Sequence, residues 1–175
     1  SEPLEIARWD SNRIRLKAHQ ARGARRLLAN NGGLLGFDVG VGKTYTGIAV
    51  IAKLREQGRA RRPVVVVPNT IIWKWYKEFL KALPDYRVVV IGSNRYVGRN
   101  GTFASKLDTA EERSLKWRQF QAGEFDVALV TFSMLGRTAV RAESFSEWVY
   151  ETPVVVRKLG LEARALARIV EDDPD

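Results

Sequence analysis

The chain contains no cysteine, which excludes disulfides and thiolate metal sites. His19 is its only histidine. A multi-histidine metal centre is therefore excluded, and a Ser-His-Asp triad would have a single candidate base. No stretch reaches the roughly 18 apolar residues that a membrane-spanning helix needs. The opening Ser1-Glu2-Pro3-Leu4-Glu5 lacks the basic start and apolar run of a signal peptide, so a cytoplasmic protein is the simplest expectation. Repeats and low-complexity segments are absent as well.

What is present fits one ordinary domain of 175 residues, with 45% hydrophobic residues to build a core and 28% charged residues to keep it in water. Lys and Arg number 29 against 20 Asp and Glu, a net charge of +9. That excess attracts a polyanion such as nucleic acid, although it also serves general solubility. The basic residues are dispersed, and no single run marks a docking patch.

Apolar runs alternate with amphipathic stretches. A helix is predicted from Leu16 to Ala29, with Ala18, Ala21, Ala24, Leu27 and Leu28 on one side, stopped by Asn30-Asn31-Gly32-Gly33. Leu34 to Phe37 reads as a short buried strand, followed by a glycine loop and a helix from Lys43 to Gln57 that Gly58 ends. Arg59 to Pro63 is a basic turn. The four valines 64–67 read as a strand covered on both faces, broken by Pro68-Asn69. Ile71 to Leu83 is predicted helical and Arg87 to Ile91 a third strand. Ser93 to Asp108 is polar and glycine-bearing and reads as a mobile loop. Thr109-Ala110-Glu111-Glu112 resembles a capping box opening a helix that runs to Gln121 and stops at Gly123. Val127 to Val130 is a fourth strand. Further on, Val154 to Val156 reads as a strand or packed extended segment, Leu161 to Val170 as a closing helix, and residues 171–175 as an acidic tail. Strands alternating with helices imply an α/β fold, a parallel sheet flanked by helices.

Within this pattern, Gly36-Phe37-Asp38-Val39-Gly40-Val41-Gly42-Lys43-Thr44 joins a predicted strand to a predicted helix. Phosphate binding needs that arrangement. Gly40 and Gly42 can take backbone angles that other residues resist, and bare peptide N–H groups can close around phosphate oxygens. The positive end of the following helix favours the same anion. Lys43 is placed to neutralise the β- and γ-phosphates, and the Thr44 hydroxyl to hold magnesium. The strict pattern wants its first glycine at position 37. Phe37 stands there, and Gly36 sits one residue too early.

In register, Gly36 to Thr44 resembles the first motif of superfamily-two helicases, in particular their Swi/Snf-like branch, whose form is Ala-Asp-Glu-Met-Gly-Leu-Gly-Lys-Thr. Asp38 fills the acidic slot. Three further segments follow the order of that family. Leu16-Lys17-Ala18-His19-Gln20 resembles its upstream glutamine motif, which implies that the Gln20 amide reads the adenine edge. Val64 to Leu83, with Pro68, Trp75, Glu78 and Phe79, resembles the next motif. There the loop after the strand holds the nucleic-acid backbone, which implies phosphate-facing roles for Asn69 and Thr70. Trp75 and Phe79 share one side of their helix and read as core rather than stacking platforms. Asp126 to Ser133 resembles the third strand motif. Thr131 is then either a contact to the tracking strand, with Ser133 beside it, or a plain strand end.

The resemblance covers Leu16 to Leu135. It implies a RecA-like ATP-binding lobe over 16–135, after an N-terminal extension 1–15 and before a C-terminal segment 136–175 whose packing the sequence does not fix. ATP and magnesium are the implied cofactors. The nucleotide set is Gln20, Asp38, Val39, Gly40, Val41, Gly42, Lys43, Thr44 and the adjoining Tyr45, with Lys43 and Thr44 nearest the chemistry. Duplex DNA and a second helicase lobe are the implied partners. The segment also looks like bacterial and phage polypeptides that join such a helicase to an adenine-specific methyltransferase, a restriction-modification setting.

One part of the family pattern is missing. Hydrolysis there needs an acidic motif, Asp-Glu-x-His or a variant, at the end of an apolar strand. The only apolar-then-acidic run, Ile169-Val170-Glu171-Asp172-Asp173, continues an amphipathic helix and is rejected. The chain is therefore expected to be one lobe of a longer ATPase, binding nucleotide weakly and hydrolysing almost none alone. Two other classes compete: a nucleic-acid-binding module without ATPase activity, and a small-molecule kinase, against which the Trp75-Glu78-Phe79 segment argues.

Overall fold

The valine-rich segments set the architecture, because a strand apolar on both faces must be covered on both. The computed structural model of the chain describes residues 3–36 and 42–135. The elements are α1 (Ala18–Ala29), α2 (Lys43–Glu56), β1 (Val64–Val67), a 3-10 turn (Asn69–Ile71), α3 (Ile72–Ala82), β2 (Val88–Ile91), β3 (Ser93–Val97), β4 (Phe103–Leu107), α4 (Ala110–Gln121), β5 (Val127–Thr131) and the short α5 (Phe132–Leu135). β1 and β2 each pair in parallel with β5, giving the order β1-β5-β2. The expected α/β architecture, a parallel sheet flanked by helices, is present.

Alternate residues of the sheet enter two separate cores. Val88, Val90, Val127 and Leu129 face α2 and α3, where they meet Ile48, Ala52, Ile72, Phe79 and Ala82. Val89, Ile91, Ala128 and Val130 face the other way, toward Phe120 of α4 and Met134. Residues ahead of α1 contribute too. Ile6, Trp9 and Ile14 pack on the first core, and the Asp10 backbone N–H donates to the Ala82 carbonyl at 2.7 Å.

The stops fall where the glycines predict them. Gly58 and Gly123 take left-handed angles, φ +70° and +85°, after α2 and α4. The capping box of α4 forms in both directions: Glu112 N–H donates to Thr109 Oγ1 at 3.2 Å, and Thr109 N–H to Glu112 Oε2 at 3.1 Å. Trp75 and Phe79 are core residues. Phe79 is fully buried, and the Trp75 ring lies 6.3 Å from it, against Gly47 of α2.

Two expectations are corrected. Leu34-Leu35-Gly36 joins no strand, and Leu34 is 99% exposed. A strand needs a partner to pair with, and Leu34-Leu35-Gly36 pairs with none among the described residues. The outer edge of β1 likewise has no second strand neighbour among the described residues. Phe37, the end of that expected strand, lies outside them. Secondly, Ser93 to Asp108 is an ordered antiparallel hairpin rather than a loop, with Ser93 opposite Leu107 and Val97 opposite Phe103. Its turn closes through Gly98 N–H to the Thr102 carbonyl (2.8 Å) and Gly101 at φ +71°. The expected elements at 154–156 and 161–170 lie outside the described residues.

Candidate nucleotide and nucleic-acid sites

α2 begins at Lys43, so its first turn presents unpaired backbone N–H groups. No side chain caps them, and the first turn holds no acidic residue that would compete for an anion. Lys43 is exposed, and Thr44 and Tyr45 are half-buried. These features suit a nucleotide phosphate with its magnesium. Asp38, Val39, Gly40 and Val41 lie outside the described residues.

Gly42 holds the start of α2 in place. Its φ of +87° is left-handed, and a Cβ there would collide with the Gln20 amide nitrogen. Its carbonyl accepts three donors: Gln20 Nε2 at 3.2 Å, Thr46 Oγ1 at 3.1 Å and Thr46 N–H at 3.2 Å. Gln20 is buried in the first turn of α1, and its Oε1 accepts from the Lys17 N–H at 2.7 Å. The amide thus braces the start of α2 against α1. The sequence resemblance gave the Gln20 amide to the adenine edge, whereas here its oxygen and nitrogen are engaged by Lys17 and Gly42; Thr46 was missed. The only signal for Thr46 was a hydroxyl at the fourth helical position, within reach of the carbonyl one turn back.

A second cluster lies at the C-terminal ends of the strands. The register Val67 opposite Thr131 brings the ends of β1 and β5 side by side. Thr131 is buried, and its Oγ1 lies 3.2 Å from Ser133 Oγ. Ser133 Oγ reaches Asn69 Oδ1 at 3.5 Å, a long contact. Three residues picked from two distant motifs are therefore adjacent. Thr70 is exposed in the same 3-10 turn. A cavity of about 180 Å³ opens there, lined by Asn69, Ile72, Gly92, Ser93, Ser105, Lys106, Leu107 and Thr131. Part of its wall thus comes from the β3–β4 hairpin, which sequence reasoning left out of the site.

At the opposite end of β5, Asp126 holds the sheet rather than a ligand. Its side chain is 4% exposed. It accepts from Arg55 Nη2 at 2.6 Å and from the Arg87 backbone N–H at 2.8 Å. Burial pushes this carboxyl up, but the Arg87 side-chain and backbone hydrogen bonds and the Arg55 and Arg87 charges outweigh it and hold it below the ordinary value.

A parallel sheet between helical layers, with a capless helix N-terminus at one site and polar strand ends at the other, defines an α/β lobe of three-layer type. The comparisons narrow the class: residues 12–153 match the family described as SNF2-related domain, and the chain belongs to that family. It is 31% identical to the transcription regulatory protein SNF2 of Saccharomyces cerevisiae over 125 residues, 69% of this chain and 6% of that protein. It is 29% identical to the ATP-dependent helicase fft1 of Schizosaccharomyces pombe over 147 residues, 79% of this chain and 14% of that one. Over 76 residues, 41% of the chain, it is 43% identical to the defense against restriction protein B of Escherichia phage P1, covering 3% of that protein. Among solved structures, the SWI2/SNF2 ATPase core of Sulfolobus solfataricus in complex with double-stranded DNA superposes with a TM-score of 0.52 at 23% identity, over 81% of this chain and 26% of that one. The chain therefore spans only a small part of the curated relatives it matches. Among the described residues no helix is long and apolar enough to cross a membrane.

Proposed function

We propose that the chain is the nucleotide-binding lobe of a DNA-dependent ATPase that moves along duplex DNA. Magnesium-ATP sits at Gly36 to Thr44, with Lys43 on the β- and γ-phosphates, Thr44 toward the metal, and Gln20 and Tyr45 flanking. When bound, the nucleotide supplies the phosphoanhydride whose cleavage drives movement. Asn69, Thr70, Thr131 and Ser133 meet the DNA backbone. The observation that carries this reading is the convergence of Asn69, Ser133 and Thr131 at the strand ends. Membership of the SNF2-related family supports it. So does the double-stranded DNA bound by the Sulfolobus ATPase core.

Hydrolysis, in this reading, belongs to a longer polypeptide that adds an acidic motif and a second lobe; alone the chain binds nucleotide and cleaves almost none. A methyltransferase region on that polypeptide, in a restriction-modification setting, is the finer part of the proposal, and the short match to the phage P1 protein is its support.

Titration calorimetry with magnesium-ATP on the wild type and Lys43→Ala tests the nucleotide site. We expect binding by the wild type and a loss of roughly tenfold or more in the variant, the scale of a charged hydrogen bond. Duplex binding without any magnesium-nucleotide affinity would instead identify a nucleic-acid module without ATPase activity. Robust turnover abolished by Lys43→Ala would overturn the expected inactivity of the lone lobe.

A further inference from the structure

The β3–β4 hairpin has features that neither the sheet nor the nucleotide site requires. From Ser93 to Leu107 it carries Arg95, Arg99 and Lys106 and no acidic residue. Tyr96, Val97, Phe103 and Leu107 are 48%, 62%, 65% and 63% exposed, so large apolar side chains stand in water along a basic ribbon. The Arg95 guanidinium sits 4.2 Å from the centre of the Phe103 ring and 5.7 Å from that of Trp73, which fixes it across the hairpin and against α3.

The ribbon is anchored at its base. Asp108 Oδ2 accepts the Gly92 N–H at 2.7 Å, and Lys116 Nζ lies 2.9 Å from both Asp108 oxygens. The same ammonium donates to the Val90 and Ser93 carbonyls at 2.8 and 3.1 Å. The Asp108 carboxylate is fully buried, so its charge is neutralised by Lys116 and does not offset the basic ribbon. Trp73 Nε1 donates to Ser93 Oγ at 3.1 Å. An arm held this firmly keeps a fixed direction from the strand ends. Five residues of strand at about 3.3 Å each carry Arg99 roughly 15 Å beyond that base. At the base, Ser105 and Lys106 share the 180 Å³ cavity with Asn69 and Thr131.

We infer that the β3–β4 hairpin is a further DNA-gripping element, with Lys106 taking a phosphate beside Asn69 and Thr131 and Arg99 taking a second one farther along the duplex. This rests on the reading of the strand ends as the DNA-backbone site. A two-stranded ribbon fits the width of a duplex major groove, and positive charge is what the phosphates select. Among the described residues, the one carboxylate hydrogen-bonded to the ribbon is that of Glu112, which accepts from Asn94 Nδ2 at 2.9 Å near the base, away from Arg99 at the tip. The exposed Tyr96 and Phe103 rings offer apolar surface to sugars and groove walls.

The test is fluorescence anisotropy of a labelled duplex titrated with the full chain at several salt concentrations. Wild type is compared with Lys106→Ala/Arg99→Ala and with Arg61→Ala/Arg62→Ala, which removes the same charge from exposed positions beyond the opposite end of β1. Circular dichroism melts check that all three fold alike. We expect the hairpin variant to bind roughly five- to tenfold more weakly and to lower the slope of log affinity against log salt by about 2, the loss of two phosphate contacts, with the control close to wild type. Equal losses in the two variants would reduce the effect to net charge and overturn the proposal. So would unchanged affinity and slope in the hairpin variant. Asn69→Ala/Thr70→Ala separates the two readings: if it weakens binding while the hairpin variant does not, only the hairpin assignment fails. A wild-type chain with no duplex affinity overturns both.

Discussion

At Gly42 a left-handed backbone coincides with a carbonyl serving three donors and with the Gln20 amide packed where a Cβ would go. Any side chain there must displace Gln20 and strain the backbone together. Gly42→Ala should therefore lower stability by about 1–3 kcal/mol and weaken nucleotide binding, measured by urea unfolding and calorimetry. Asp126 makes a different residue-scale prediction. Its folded carboxyl titrates below the 3.8 of the free group, so the unfolded chain takes up the proton first as the pH falls. The stabilisation is complete above the unfolded value, fades as the pH drops through it, and is gone below the folded one. Wild type should exceed Asp126→Asn in urea midpoint at neutral pH, with the gap closing only below about pH 4. A gap unchanged down to pH 2 would show that the charge of Asp126 contributes nothing.

At the level of elements, local signals were legible where one residue type decides the outcome. Gly58 and Gly123 end their helices, and Thr109 with Glu112 opens α4. Removing that cap in Thr109→Ala should cost about 1 kcal/mol and lower the melting temperature without changing DNA affinity. The hairpin was not legible as structure, because its composition is that of a loop: polar, with Gly98 and Gly101. Two five-residue runs either side of those glycines were the available signal. What makes them strands is their pairing with each other, and the Asp108–Lys116 pair that ties down their base comes from sequence outside the runs. Leu34-Leu35 shows the converse. Its apolar character reads as a strand, yet it pairs with no segment among the described residues, and pairing is a property of two segments. Motif order singled out Asn69, Thr131 and Ser133, and the structure sets them side by side because each lies at or just beyond the end of a strongly apolar strand. The contribution of Ser105 and Lys106 depends on hairpin placement, which no spacing encodes.

For the molecule as a whole, one sheet divides two cores, and the residues of β2 and Val127 to Val130 of β5 alternate between them. Phe79→Ala in the first and Phe120→Ala in the second should each cost about 3–5 kcal/mol. Both variants should still unfold in a single transition, because β2 and β5 are shared; a separate early transition in Phe120→Ala would mean that the α4 layer unfolds independently. The same sheet leaves the outer edge of β1 without a strand neighbour among the described residues, and Val64 there is 42% exposed. An unpaired strand edge of this kind is what another strand can add to, and sheets limit such pairing at their edges. Arg61, Arg62 and Pro63 bracket the run on one side and Pro68 on the other. Proline supplies no N–H to a growing ladder, and stacked arginines repel when identical chains align in register. Flanking prolines and like charges are the devices by which strand edges limit pairing with other chains, and these four valines have proline on both sides and arginines on one.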